Sequence, residues 1–265
     1  MNLAAAVGVS DIERAPVWTF LRASLTRGGR WRQLKGNAMN HNPESPFNPL
    51  PPSVIALVVV ILGIEVLFNL GARGIIGGPA AVGWRLAAIE DWAFVDRVFN
   101  WMLANGRFPA EQMARFLTFP LIHFSFTHAV FVSIFILAIG KMVSEVFGDL
   151  AFLSVFWGAS IVGALAYGLF LQTDIPLVGG FPGVYGLIGA YTFLMWVALI
   201  HTGGPQSRAF SLIGMLLAIQ LFFAVFFETG MDWVADLAGF ATGFLLSFVV
   251  SPGGWSRLMA KFRQR

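Results

Sequence analysis

Side chains able to do chemistry are few in this chain, and nearly all of them interrupt apolar runs. Glu65 lies in the run that starts at Ser53. His123, Ser125, His128 and Ser133 lie on the run from Leu117, and Asp236 on the run from Trp233. An ionisable group inside a membrane span is costly unless it faces the helix bundle or reaches the surface, so each is a candidate site residue. Ser125, set between His123 and His128, carries a hydroxyl that a neighbouring imidazole could activate as a nucleophile. Its plainer reading is a turn or a helix cap. His123, His128 and Asp236 are metal-ligand types, but an i,i+5 spacing keeps the two histidines off one helical face. Glu65, His128 and Asp236 could line a polar path, although no repeated pair of broken helices accompanies them. Glu65 also suits the outer interface, beside Asn69 and Arg73. The sequence has no cysteine, which excludes thiol catalysis, disulfides and cysteine metal sites. No cofactor and no metal are expected.

The elements that must position these groups are membrane helices. At 265 residues, 57% apolar and 12% charged, the composition is that of a polytopic all-α membrane protein rather than a soluble domain. Several runs reach the roughly 20 residues that span a bilayer. Six spans are expected, at about 53–70, 117–143, 150–171, 181–200, 209–227 and 233–250. Lys141, Glu145 and Asp149 mark a short turn after the second. The E-T-G-M-D stretch makes a tight turn into the sixth. Residues 71–113 form a long first loop in which Trp84, Trp92, Phe94, Phe99 and Trp101 alternate with charges, the pattern of helices lying in the interface.

The fourth run opens with L-V-G-G-F-P-G-V-Y-G-L-I-G-A from Leu177 to Ala190. Gly183, Gly186 and Gly189 leave a nearly bare helix face, and Gly239 and Gly243 on the sixth run form a small-xxx-small face to pack against it. Pro182 fits the first turn, where its missing N–H has no partner in any case.

The chain divides into a polar, basic tail (1–51), a membrane domain (52–250) and a basic amphipathic tail (251–265). Residues 1–50 show no apolar core long enough for a signal peptide, and Met39 offers a second possible start that would leave 1–38 outside the protein. Twelve lysines and arginines fall on the side of the two tails and five on the first-loop side, which favours cytoplasmic termini; from Met39 the margin narrows to six against five. The tails suit an anionic leaflet. No basic groove with interleaved aromatics points to nucleic acid.

Three stretches taken together resemble the rhomboid intramembrane serine proteases: R-F-L-T-F-P-L-I-H-F-S-F-T-H on the second run, G-G-F-P-G-V-Y-G-L-I-G-A on the fourth and A-D-L-A-G-F-A-T-G on the sixth. The resemblance covers about residues 52–250 and implies a six-helix rhomboid-like bundle with a long first loop. Residue by residue, it departs from the family at the chemistry. Anchored on Tyr185-Gly186-Leu187, the nucleophilic serine falls on Phe181 and the following glycine on Pro182. The general-base histidine falls on Asp236, and the asparagine that helps hold the oxyanion falls on Val132; His123 and His128 are kept. The pair before the second run reads Ala114-Arg115, with Thr118 in place. Ser144 stands at the position of the acid that closes the second run, and Glu145 is displaced by one.

Peptide cleavage of this kind needs a nucleophile, a base and oxyanion donors. Loss of one triad member costs about three to six orders of magnitude in reference proteases. The expectation is a rhomboid fold without rhomboid proteolysis, in which Phe181 plugs the substrate space. Asp236 is then a carboxylate satisfied by His128, Tyr185 or water. Such a protein would bind transmembrane client proteins within the bilayer of a bacterial plasma membrane, with Leu221, Phe222, Phe223 and Phe226 as a client gate. A serine endopeptidase with a rearranged site is the alternative, and a polar-path transporter the second.

Overall fold

The computed structural model describes residues 49–171, 173–226 and 232–252, with side chains left aside over 221–226. The tails, the E-T-G-M turn and the proposed gate side chains Leu221, Phe222, Phe223 and Phe226 therefore lie outside the described residues.

Every long element is a helix. α1 (Pro52–Ala72) starts on the Pro51–Pro52 pair. The first loop folds into three short helices, α2 (Trp84–Trp92), α3 (Asp96–Asn105) and α4 (Ala110–Thr118). Then follow α5 (Phe126–Phe147), α6 (Asp149–Phe170), α7 (Phe181–Thr202), α8 (Ser211–Phe226) and α9 (Trp233–Val250). Five of these, α1, α5, α6, α7 and α9, are long and apolar enough to cross a membrane; α8 is described over 16 residues.

The second span differs from its expected bounds. Its apolar run begins at Leu117, but Pro120 sits in a 3-10 turn, Phe119–Leu121, and the chain is extended at Ile122 before α5 starts at Phe126. Proline removes a helix N–H, so apolarity alone placed the start too early. At its far end the run stays helical through Lys141 and Glu145, which are i,i+4 partners. The turn narrows to Gly148, at φ +91°, a left-handed conformation that favours glycine. A π-helical turn, Ile136–Gly140, interrupts α5 midway.

α7 is the centre of the bundle. Nine consecutive residues, Pro182 to Ala190, are buried, more than two full turns, so the helix is enclosed on all sides. The enclosing contacts are backbone to backbone. A Cβ on Gly243 would lie 1.9 Å from the Gly186 carbonyl, one on Gly239 2.2 Å from the Pro182 carbonyl, and one on Gly189 2.2 Å from the Phe240 carbonyl. On the other side α6 closes in: a Cβ on Gly186 would meet the Ala159 methyl at 2.2 Å, and one on Gly183 the Phe156 ring at 2.6 Å. α7, α6 and α9 thus form a wedge that only glycine permits.

The first loop is tied to this wedge. Phe94, Phe99, Phe116, Phe119 and Tyr167 form a second buried cluster, with Phe94 and Phe116 ring centroids 5.0 Å apart. Of the five aromatics expected at the interface, Phe94 and Phe99 turn inward, whereas Trp84, Trp92 and Trp101 stay exposed. Phe94 and Leu177 exchange both backbone hydrogen bonds (3.1 and 2.8 Å), joining the loop to the lead-in of α7. Asp96 receives the Thr173 N–H (3.1 Å), Arg97 pairs with Asp174, and the Tyr167 hydroxyl donates to the Ile175 carbonyl.

Candidate functional site

The site forms where the lead-in of α7 passes the start of α5. Gly179 adopts φ +95° and donates its N–H to the Phe119 carbonyl at 2.9 Å. A Cβ on Gly179 would fall 2.5 Å from His128 Cε1, and one on Gly180 2.9 Å from Val132 Cγ1. The glycine pair therefore lets His128 and buried Val132 press directly on the backbone. The Gly180 N–H points at His123 Nε2, a long contact of 3.4 Å. That N–H is engaged with an imidazole, and the second backbone nitrogen beyond it, after that of Phe181, belongs to Pro182, which has no hydrogen to offer.

Phe181 opens α7 with its ring stacked on His128, centroids 5.1 Å apart and planes 20° apart. His123 meets His128 edge to face at 4.9 Å. Burial, then the neighbouring His128 and Arg85, push the His123 imidazole down to about 3, so it is neutral at physiological pH and can accept the Gly180 N–H. Among the described residues no three His, Asp or Glu side chains cluster closely enough to hold a metal ion.

Ser125 is exposed and caps α5: its Oγ accepts the His128 backbone N–H at 3.2 Å. That contact is the ordinary N-cap geometry. It orients Ser125 by the helix backbone, with no imidazole nitrogen as its hydrogen-bond partner among the described residues.

Asp236, in the first turn of α9, is 4% exposed. Its carboxyl partner differs from the ones expected. Gln220 of α8 donates Nε2–H to Asp236 Oδ2 at 3.0 Å, while His128 Nε2 has no hydrogen-bond partner among the described residues. The His128–Asp236 pair does not form. His128 lies against the Phe181 ring instead, and α8 brings an amide to the carboxyl. Tyr185, one turn into α7, is buried.

Glu65 also has another partner than the sequence suggests. It is 1% exposed and bound by Arg85 from α2 rather than by Arg73, with Asn69 Nδ2 donating to it at 3.0 Å. Arg85 donates as well to the His123 carbonyl at 2.7 Å and lies over the Phe68 ring. One guanidinium thus joins α1, α2 and the loop that carries His123. Nearby, Arg115 donates to the Ala93 carbonyl and Thr118 to the Trp92 carbonyl. Burial lowers the Arg115 guanidinium somewhat, against the pull of Asp91.

Arg85, Gln220, Gly179 and Gly163 were not among the sequence candidates. The Gly179–Gly180 doublet before a helix was a readable sign of close approach. A Cβ on Gly163 would come within 2.8 Å of the Ala235 carbonyl, but its motif partners lie far away in sequence.

Comparison with known proteins gives the family. Residues 110–253 match the Rhomboid domain family model. The chain is 30% identical over 151 residues to the Bacillus subtilis (strain 168) protein named "Putative rhomboid protease YdcA", covering 57% of this chain and 71% of that one. It is 26% identical over 139 residues to RHOMBOID-like protein 4 of Arabidopsis thaliana, covering 51% of this chain and 34% of that longer protein. The chain is an integral, multi-pass helical membrane protein that belongs to the rhomboid family.

Proposed function

We propose that this protein is a non-proteolytic rhomboid that binds transmembrane client proteins in the bilayer and acts as their adaptor. The observation that carries the reading is Phe181: an aromatic ring heads α7 at the position that matches the family's nucleophile, and it stacks on His128. A phenyl ring offers no electron pair for attack on a carbonyl. The other positions point the same way. Val132 donates no hydrogen bond, the Gly180 N–H is directed at His123, and Asp236 is engaged by Gln220. No mechanism built on an activated hydroxyl, a base and an oxyanion pocket can be assembled from those groups.

Client binding is a use open to a membrane fold of this kind once cleavage is gone. In this reading the client approaches along α8, the tails 1–51 and 251–265 lie on the cytoplasmic side of a bacterial plasma membrane, and residues 52–250 hold the client. Photocrosslinking from α8 in native membranes tests it. Recovery of a discrete set of membrane proteins is the expected result. Recovery of lipid and self-contacts alone would overturn the adaptor role. The name carried by the Bacillus relative favours a second reading, a serine protease with a rearranged site. Its nucleophile would have to be a hydroxyl such as that of Ser125.

A further inference from the structure

α8 is attached to the bundle differently from its neighbours. Among the described residues, its one side-chain hydrogen bond to another helix is that of Gln220 with Asp236, 3.0 Å from Nε2 to Oδ2. That contact is half complete. Asp236 Oδ1 and Gln220 Oε1 are both buried and, among the described residues, both without a partner. They are the two remaining heteroatoms of the same pair of planar groups. Two buried acceptors are costly to leave unpaired, and an ionised carboxylate more so. One hydrogen removes both defects. A carboxylic acid and a primary amide are complementary: the amide donates N–H to one carboxyl oxygen while the acid donates O–H to the amide oxygen.

We propose that Asp236 is a neutral acid while α8 is docked, closing a two-bond ring with the Gln220 carboxamide, and that its ionisation releases α8 from α9. Deprotonation sends the Oδ1 proton to water, removes the O–H bond to Oε1 and leaves two oxygens with lone pairs facing each other. Among the described residues, the anion finds no compensation beyond the Gln220 N–H. The titratable groups that bear on Asp236 are Tyr185 of α7 and Asp232 at the entry to α9. α6 packs on the same turn through Gly163, and its Tyr167 bears on Asp232. None of these is a cation. The latch goes beyond the adaptor reading and stands without it, because it depends only on how α8 meets α9.

The chain has no cysteine, so spin labels can be placed at will. Met215→Cys on α8 and Leu245→Cys on α9 are both exposed positions. The labelled full-length protein in lipid nanodiscs should give one short inter-label distance at neutral pH, and infrared spectra should show a protonated carboxyl band that Asp236→Asn removes. As the pH is raised and that band disappears, a second, longer distance should grow in. Asp236→Asn closes the same ring with no proton to lose, and should keep the short distance at every pH. Gln220→Leu should show the long distance throughout. The proposal is overturned if the band is absent at neutral pH while α8 is docked, if the band disappears with no change in distance, or if Asp236→Asn retains the pH-driven shift.

Discussion

The wedge of α6, α7 and α9 and the helices around it are held by different means. Inside the wedge, helices touch where side chains are missing: Gly186, Gly189, Gly239 and Gly243 let backbone atoms of α7 and α9 meet, and Gly183 admits the Phe156 ring of α6. Around it, polar side chains make the attachments. Arg85 ties α2 to α1 and to the His123 loop, Ser125 caps α5, and Gln220 holds α8. Contacts built from backbone are all-or-none, whereas contacts built from side chains can be exchanged one at a time. The framework can thus stay rigid at its centre while its flank remains adjustable.

The sharpest way to break the comparison is to add one methyl group to each part. Gly243→Ala should destabilise the protein by about 3 kcal/mol despite the better helix propensity of alanine, because the new carbon has backbone in its place. Gly214→Ala on α8, where nothing lies within 4 Å, should be neutral or stabilising by up to about 1 kcal/mol. Thermal unfolding in detergent reads both, and equal effects would erase the distinction. Arg85→Ala should follow at about 2 kcal/mol. It strands buried Glu65 without its cation, at a cost below that of a fully buried pair because Arg85 is itself a quarter exposed.

The His123 loop gives a pH test of similar size. Its imidazole titrates near 6.5 when unfolded and is pushed down to about 3 in the fold, so the unfolded state binds more protons between those values. Stability from this group is complete above pH 6.5 and falls as the pH drops. By pH 5 the loss should be about 2 kcal/mol, and His123→Gln should flatten that slope in melting-temperature scans. Smallest is Ser125→Ala. Losing the cap should cost about 1 kcal/mol, with client crosslinking unchanged.

Sequence and structure part company along the same line. The glycine wedge was readable because its contacts are written in local spacing: Gly183, Gly186 and Gly189 on one helix and Gly239 and Gly243 on another. The bounds of the sixth span were readable from hydropathy, and the cap at Ser125 from residue type. The polar attachments were not. Arg85 finds Glu65 across a folded loop, and Gln220 reaches Asp236 from another helix, so no periodicity encodes either pairing. The early start given to the second span has a separate cause, since hydropathy does not register the 3-10 turn at Pro120.

The proposed loss of proteolysis requires that Phe181 supply no nucleophile and that no other hydroxyl has replaced it. Treating the protein in native membranes with a fluorophosphonate and measuring its intact mass tests this directly. The expected result is an unmodified mass at probe concentrations that label an active rhomboid protease to completion. A single adduct that maps to Ser125 or any other serine, and is lost when that serine is changed to alanine, would contradict it.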